Sequence, residues 1–122
     1  MNWKFTEDRP IWVQLSEQLS AQITAGVYGP GERLPSVREF AAQAGVNPNT
    51  MQRALANLES QGLLVTNRTA GRSVTQDMER IRTLRADQAR AQVAQFLETM
   101  DSMGSSRQEI MAVLEEAIKE EA

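Results

Sequence analysis

Apolar residues recur at helical spacing near the start of the chain. Those separated by three or four positions are Trp12, Leu15, Leu19 and Ile23. This spacing predicts a helix with one apolar face. The helix is predicted to open at Pro10, whose fixed φ suits a first helical turn, and to end at Gly26. The run Gly29-Pro30-Gly31 then predicts a turn.

Two short helices separated by a tight turn are predicted next. Ser36 and Glu39 form a capping box, in which each residue satisfies a backbone donor of the other, and Gly45 is placed to end this second helix in a left-handed conformation. The pair Asn47-Pro48 is typical of a helix N-terminus, so a third helix is predicted to run to about Gln61. Two short helices joined by a glycine-bearing turn form a helix-turn-helix.

The spacing changes after the third helix. Residues 63–66 and 73–75 are predicted to be extended, and residues 67–71 are predicted to form the loop between them. A hairpin directly after the second helix of a helix-turn-helix is a wing. From about residue 77 helical spacing returns, with a break at Gly104 and a second capping box at Ser106 and Glu109.

These elements predict a mainly α-helical fold. We expect an N-terminal winged helix-turn-helix, made of three helices and a β-hairpin wing, followed by two C-terminal dimerisation helices. The boundary is placed near residue 75, because the strand spacing ends there and the net charge changes from +1 over 1–75 to −4 over 76–122. The predicted domains are therefore 1–75 and 76–122.

The C-terminal helices carry an apolar face with little around it to cover it. Association with a second copy is the economical solution, since closed two-fold dimers are the commonest oligomers. The alternative is a long helix that folds back on its own domain. Two helices cannot enclose a small-molecule pocket, so an effector, if one binds, would use the dimer interface or the junction between the domains. The candidate dimerisation residues are Leu84, Val93, Phe96, Leu97, Met100, Ile110, Val113, Leu114 and Ile118.

Composition removes most enzyme classes. The chain of 122 residues has no cysteine and no histidine, which excludes thiol chemistry, zinc–thiolate sites and the usual general base near neutral pH. A hydrolase that uses paired Asp and Glu side chains lacks a convergent acid and base, so we expect no enzymatic activity, no metal and no cofactor. The chain shows no apolar signal core and no 18-residue apolar run, so we expect a cytoplasmic protein that does not contact the membrane.

A locally basic stretch lies inside this acidic chain. The formal net charge is −3, yet residues 33–75 contain five arginines against Glu39 and Glu59. Such a stretch favours a surface that faces phosphates, although mixed surface charge is the ordinary case. A winged-helix module that docks protein partners through its acidic tail is the alternative to DNA binding.

The third helix carries the candidate recognition surface. With Met51 and Leu55 facing inward, Asn49, Gln52 and Arg53 lie on the opposite side near the N-terminus, where a helix in the major groove meets base edges. Short polar groups at the helix start and arginines on the second helix and the wing suit phosphates. The candidate DNA-binding residues are Ser36, Arg38, Asn47, Asn49, Thr50, Gln52, Arg53, Arg68, Gly71 and Arg72.

Each of these residues also has a simpler interpretation. Asn47 is a helix cap before it is a phosphate contact, and Arg38 could pair with Glu39 or Glu59. Gln52 and Arg53, taken singly, are typical of solvated surface. The hypothesis therefore depends on their joint placement at the points where a winged helix touches DNA.

Residues 29–74 resemble the GntR family of bacterial winged-helix transcription regulators. The resemblance is carried by the strings Gly31-Glu32-Arg33-Leu34-Pro35-Ser36-Val37-Arg38-Glu39-Phe40-Ala41 and Val46-Asn47-Pro48-Asn49-Thr50-Met51. The short C-terminal part is similar to the YtrA-type branch. The resemblance implies a homodimeric repressor on an inverted-repeat operator, often of an ABC transporter operon. It places DNA contacts on Arg38, Asn49, Thr50, Arg53 and the wing around Gly71.

The sequence departs from the family pattern in the wing and at the start of the third helix. The usual wing is Gly-x-Gly-Thr-Phe-Val, whereas this chain has Thr69-Ala70-Gly71-Arg72-Ser73-Val74. The path of the wing and its minor-groove contact therefore cannot be transferred. Some members place a base-reading arginine where this chain has Pro48, so the half-site sequence cannot be transferred either.

Overall fold

The computed structural model describes residues 3–121 and contains five helices and one hairpin within that range. Met1, Asn2 and Ala122, which the predicted domains include, lie outside the described residues. The fold is mainly α-helical, as predicted. No helix in the described part is long and apolar enough to cross a membrane. The elements are α1 Ile11–Thr24, α2 Val37–Ala44, α3 Pro48–Ser60, β1 Leu64–Asn67, β2 Gly71–Val74, α4 Met78–Ser102 and α5 Arg107–Glu121.

Local capping sets the ends of α2 and α3. The Ser36 hydroxyl oxygen accepts the N–H of Glu39 at 3.2 Å, and Gly45 ends α2 at φ +70°. The side-chain oxygen of Asn47 accepts the N–H of Asn49 at 2.8 Å and starts α3. The predicted caps are confirmed, with one difference: the Glu39 carboxylate accepts from the Ser36 hydroxyl rather than from its backbone N–H.

Helix α1 begins one residue later than predicted. Pro10 has an extended backbone, with ψ at 139°, and acts as the N-cap without a side-chain hydrogen bond. Leu15, Leu19 and Ile23 are buried, as an apolar face requires, but Trp12 stays partly exposed. The predicted apolar face therefore ends before it reaches Trp12.

The core of the N-terminal unit forms around α3. Helix α3 packs against both α1 and α2, and its buried side chains are Met51, Ala54, Leu55 and Leu58. Phe40 of α2 is fully buried, and the rings of Trp3 and Tyr28 meet it edge to face at 6.2 and 6.0 Å between centroids. These contacts leave only one face of α3 open to solvent.

The hairpin is antiparallel and forms despite the unusual wing sequence. Leu64 pairs with Val74 at its base, and Asn67 pairs with Gly71 at its tip. The side-chain oxygen of Asn67 accepts the N–H groups of Thr69 and Ala70, which closes the turn, and Gly71 takes a φ of +79° that only glycine adopts readily. The predicted wing is confirmed as a two-stranded hairpin.

The chain divides into two compact units inside α4. The first unit ends at Ala86 and the second begins at Asp87. Ile81 is 3% exposed in the N-terminal core, Leu84 packs against that core, and Arg85 donates to the Thr24 carbonyl oxygen at 2.8 Å. The change from strand to helical spacing near residue 77 thus marks the start of α4, and the first turns of α4 still belong to the N-terminal unit.

The C-terminal unit consists of the rest of α4 and of α5. Gly104, at φ +79°, breaks the helices apart, and Ser106 and Glu109 form the predicted capping box with both reciprocal bonds, at 3.0 and 3.1 Å. Arg107 pairs with Asp101 at 2.6 Å across the turn. Ile110 is buried, whereas many large apolar side chains stay exposed: Val93, Phe96, Met103, Met111, Val113, Leu114 and Ile118.

Ile81→Ala tests whether the first turns of α4 belong to the N-terminal core. Removing this buried side chain should lower the free energy of unfolding by about 2–5 kcal/mol, measured by denaturant titration of the full chain. The control Thr83→Ala, on the exposed side of the same helix, should change it by less than about 0.5 kcal/mol. Equal effects would place Ile81 outside the core.

Candidate nucleic-acid interface

The exposed face of α3 concentrates polar side chains at its N-terminal half. Asn49, Gln52 and Arg53 are exposed and Thr50 is half-buried, while Met51 of the same turn is fully buried. The separation follows from helical periodicity, because the apolar positions are held against α1 and α2. The structure therefore brings these predicted recognition residues onto one open surface.

Asn47 is engaged as a cap, as its simpler interpretation requires. Its side-chain oxygen is taken by the Asn49 N–H, so only its amide NH₂ faces outward as a donor. The N-terminal turn of α3 also presents backbone N–H groups and the positive end of the helix dipole. A phosphate oxygen can accept from this arrangement, so the two interpretations of Asn47 are compatible.

Arg53 rests on the ring of Trp12. Its guanidinium carbon lies 4.2 Å from the centroid of the ring, a cation–π contact that joins α3 to α1. Because the guanidinium is planar, stacking leaves its N–H edge free to donate. The sequence placed Trp12 in the apolar face of α1 and gave no sign of this contact.

A polar cluster joins α3 to the wing. We call Gln52, Glu59, Thr66 and Arg72 the wing–helix cluster. The Nε of Arg72 donates to the Glu59 carboxylate at 3.0 Å, and another guanidinium nitrogen donates to the Gln52 side-chain oxygen at 3.2 Å. The Thr66 hydroxyl donates to the same Glu59 oxygen. Arg72 is thus held by this chain, with its side chain only 17% exposed.

The cluster changes the acidity of Glu59. The hydrogen bond from the Thr66 hydroxyl and, after it, the hydrogen bond and charge of Arg72 lower the pKa of the Glu59 carboxyl below its ordinary 4.5, although partial burial opposes the change. Glu59 is therefore ionised near neutral pH, and Arg72 compensates its negative charge.

The remaining candidate residues lie on α2 and the wing. Arg38 is exposed and, within the described residues, pairs with neither Glu39 nor Glu59, whose carboxylates are bonded to Ser36 and to the wing–helix cluster. Arg68 is exposed in the turn of the hairpin. A cleft of about 470 Å³ between the start of α2 and the wing is lined by residues that include Arg33, Ser36, Glu39, Thr66, Gly71 and Arg72.

Sequence reasoning missed the roles of Trp12 and Glu59 at this surface. Both are partners of predicted recognition residues, and both contacts join distant parts of the chain. The sequence did contain a sign of the role of Glu59. Glu39 and Glu59 are the only acidic residues in the basic stretch 33–75, so each is a candidate partner for one of its arginines. No group of three or more acidic side chains that could hold a metal ion occurs between residues 3 and 121.

A winged helix-turn-helix with an open polar helix is typical of DNA-binding transcription regulators. The chain matches the family model of the bacterial regulatory proteins of the gntR family over residues 13–74, and it belongs to that family. This family consists of regulatory proteins, in agreement with the expectation that the chain is not an enzyme.

Relatives of known sequence agree with this assignment. The HTH-type transcriptional regulator YhcF of Bacillus subtilis is 32% identical over 111 residues, which are 91% of this chain and 92% of YhcF. The HTH-type transcriptional repressor YtrA of the same organism is 37% identical over 68 residues, which are 56% of this chain and 52% of YtrA. The resemblance to the YtrA-type branch is thereby supported.

Solved structures share the fold. A GntR family transcriptional regulator from Listeria monocytogenes is 35% identical, with a TM-score of 0.85, over 92% of this chain and 98% of that protein. The DNA-binding domain of AraR, solved in complex with an operator, is 31% identical, with a TM-score of 0.52, over 62% of this chain and 88% of that domain. The N-terminal unit is therefore of a type that is seen bound to DNA.

Glu59→Gln tests the charge of the wing–helix cluster. Because the pKa of Glu59 is lowered in the folded state, its stabilisation is present above pH 4.5 and is lost as the pH falls through the lower folded value. The variant should be less stable at pH 7 by no more than about 1 kcal/mol, since the pair is partly exposed. Thermal unfolding against pH should show this difference shrinking as the pH falls below 4.5; a difference that is constant with pH would contradict the prediction.

Proposed function

We propose that the protein is a sequence-specific repressor that binds an inverted-repeat operator as a homodimer. The observation that carries this proposal is the exposed polar surface at the N-terminal half of α3, on a fold of the GntR family. That surface presents an amide and a guanidinium, groups that pair with adenine and guanine edges. The operator complex of the AraR domain supports the same use of this fold.

Base and backbone contacts are assigned to different residues. Asn49 and Arg53 read bases, because both are exposed on α3 and Trp12 steadies the Arg53 guanidinium. Arg38 and Asn47 contact the sugar–phosphate backbone, because Arg38 is unpaired within the described residues and Asn47 still presents its amide donors. The same backbone role is given to Ser36, Thr50, Arg68 and Gly71.

Dimerisation is assigned to the C-terminal unit. Its helices expose large apolar side chains, among them Val93 at 56%, Val113 at 55% and Ile118 at 63%. A second copy of the chain covers such a surface, and a two-fold dimer presents two recognition helices to two half-sites. Leu84 and Ile110 take no part, because Leu84 packs on the N-terminal core and Ile110 is buried within the chain.

The biological setting follows from the family branch. Similarity to the repressor YtrA supports repression. The resemblance to the YtrA-type branch implies an operon that includes ABC transporter genes. A regulator of chromosomal DNA acts in the cytoplasm. A small-molecule effector, if it regulates binding, would have to relocate the recognition helices of the dimer relative to the half-sites.

Arg53→Ala and Arg38→Ala separate base contacts from backbone contacts. Arg53→Ala should weaken binding by about 1–3 kcal/mol and relax the preference at one position of each half-site. Arg38→Ala should weaken binding to all sequences and reduce the salt slope by about one unit, since one phosphate contact is lost. Mobility-shift titrations at several salt concentrations measure both effects.

Arg82→Ala is the matched control, because Arg82 is an exposed arginine on α4 that pairs with Glu79. It removes the same charge and should leave affinity and salt slope nearly unchanged. If neither Arg53→Ala nor Arg38→Ala changes affinity, α3 and α2 do not form the DNA interface and a protein-docking role becomes the better explanation.

Leu114→Glu tests the proposed dimer surface. A carboxylate placed in an apolar interface should weaken self-association by at least about 2 kcal/mol and lower operator affinity with it. Sedimentation velocity over a concentration series measures the change. Gln95→Glu, an exposed polar position on α4, adds the same charge and should keep the dimer; monomers in the unmodified protein at working concentration would refute the dimer.

A further inference from the structure

The wing–helix cluster determines how Gln52 faces the solvent. Gln52 and Glu59 lie seven residues apart on α3, which places them on the same side of the helix two turns apart. Arg72 of β2 lies across this side and bonds to both, through Nε to Glu59 at 3.0 Å and through a terminal nitrogen to Gln52 at 3.2 Å. The planar guanidinium can bridge two acceptors because its donors form a rigid fork.

This bridge fixes which end of the Gln52 amide points outward. Arginine only donates, so the group that faces it has to be the amide oxygen of Gln52. The NH₂ group is then the end left to meet a ligand. Glu59, held in turn by the Thr66 hydroxyl, keeps Arg72 from turning away.

The orientation has a consequence for base recognition. A glutamine that pairs with adenine uses both ends of its amide, since it donates to N7 and accepts from the N6 amino group. A glutamine whose oxygen is turned towards Arg72 offers its NH₂ group as the outward donor, although the oxygen retains a second lone pair. It suits a base edge made of acceptors, and guanine offers two of them, O6 and N7, in the major groove.

We propose that Gln52 reads guanine through its amide NH₂ group and that Arg72 and Glu59 are positioning residues that impose this choice. The proposal rests on the DNA-binding function proposed above and adds the base and the residues that select it. It also reassigns Arg72, which the sequence suggested as a phosphate contact, to a contact inside the protein.

Selection of bound duplexes from a randomised DNA library tests the proposal with the full chain. The unmodified protein should prefer guanine at one position of each half-site, and Gln52→Ala should reduce this preference at least about fivefold. Arg72→Met frees the amide to turn, so the preference at the same position should move from guanine towards adenine. The double variant that carries both Gln52→Ala and Arg72→Met should show the same base preference at that position as Gln52→Ala alone.

Other outcomes overturn the proposal. If Arg72→Met weakens binding to all sequences equally, with unchanged base preferences and a salt slope reduced by about one unit, Arg72 is a phosphate contact. If the unmodified protein prefers adenine at the base pair whose recognition depends on Gln52, the proposed orientation of the Gln52 amide is wrong. If the unmodified protein shows no sequence preference, the proposed function itself fails, which the starting selection reveals before any variant is made.

Glu59→Gln distinguishes a loss of positioning of Arg72 from a loss of folding. It keeps the shape of the side chain and weakens the hold on Arg72, so it should move the preference in the same direction as Arg72→Met, by a smaller factor. Thermal unfolding confirms that each variant is folded at the temperature of the selection. A folded Glu59→Gln variant with the preference of the unmodified protein would show that Glu59 does not position the reader.

Discussion

Helix α3 is held in the core by one continuous apolar face. Met51, Ala54, Leu55 and Leu58 are each at most 1% exposed, so any rotation of the helix about its axis would expose apolar surface and bury polar groups. The opposite face of α3, which carries Asn49, Gln52 and Arg53, is therefore exposed to solvent. The left-handed Gly45 and the Asn47 cap fix where this helix begins. The position of the recognition surface therefore follows from burial and capping together.

Residues from outside α3 complete the proposed recognition surface. Trp12 of α1 supports Arg53 from one side, and Arg72 of the wing holds Gln52 from the other. Both contacts involve arginine. Its planar guanidinium can lie over an aromatic ring or donate to two acceptors at once, and the ammonium group of lysine lacks this planar shape. These contacts orient both side chains in the free protein, so the proposed DNA contact would cost less conformational entropy.

The local parts of this structure were predictable from the sequence, and the long-range parts were not. The capping boxes, the left-handed Gly45 and the Asn47-Pro48 helix start depend on neighbours within a few residues. The partners of Arg53 and Arg72 depend on how α1 and the wing approach α3, and no spacing rule gives that approach. For the same reason the spacing gave no sign that Ile81 packs in the preceding core, since its helix continues beyond that core.

We propose that the N-terminal half of α3 and the wing contact DNA. Amide chemical shifts of the full chain, followed while a duplex recovered by selection is added, test it most directly. We expect the largest changes at residues 47–53 and at the hairpin tip, 68–71, with smaller changes at the buried positions of the core. Large changes confined to the C-terminal unit, with residues 47–53 unmoved at saturation, would contradict it.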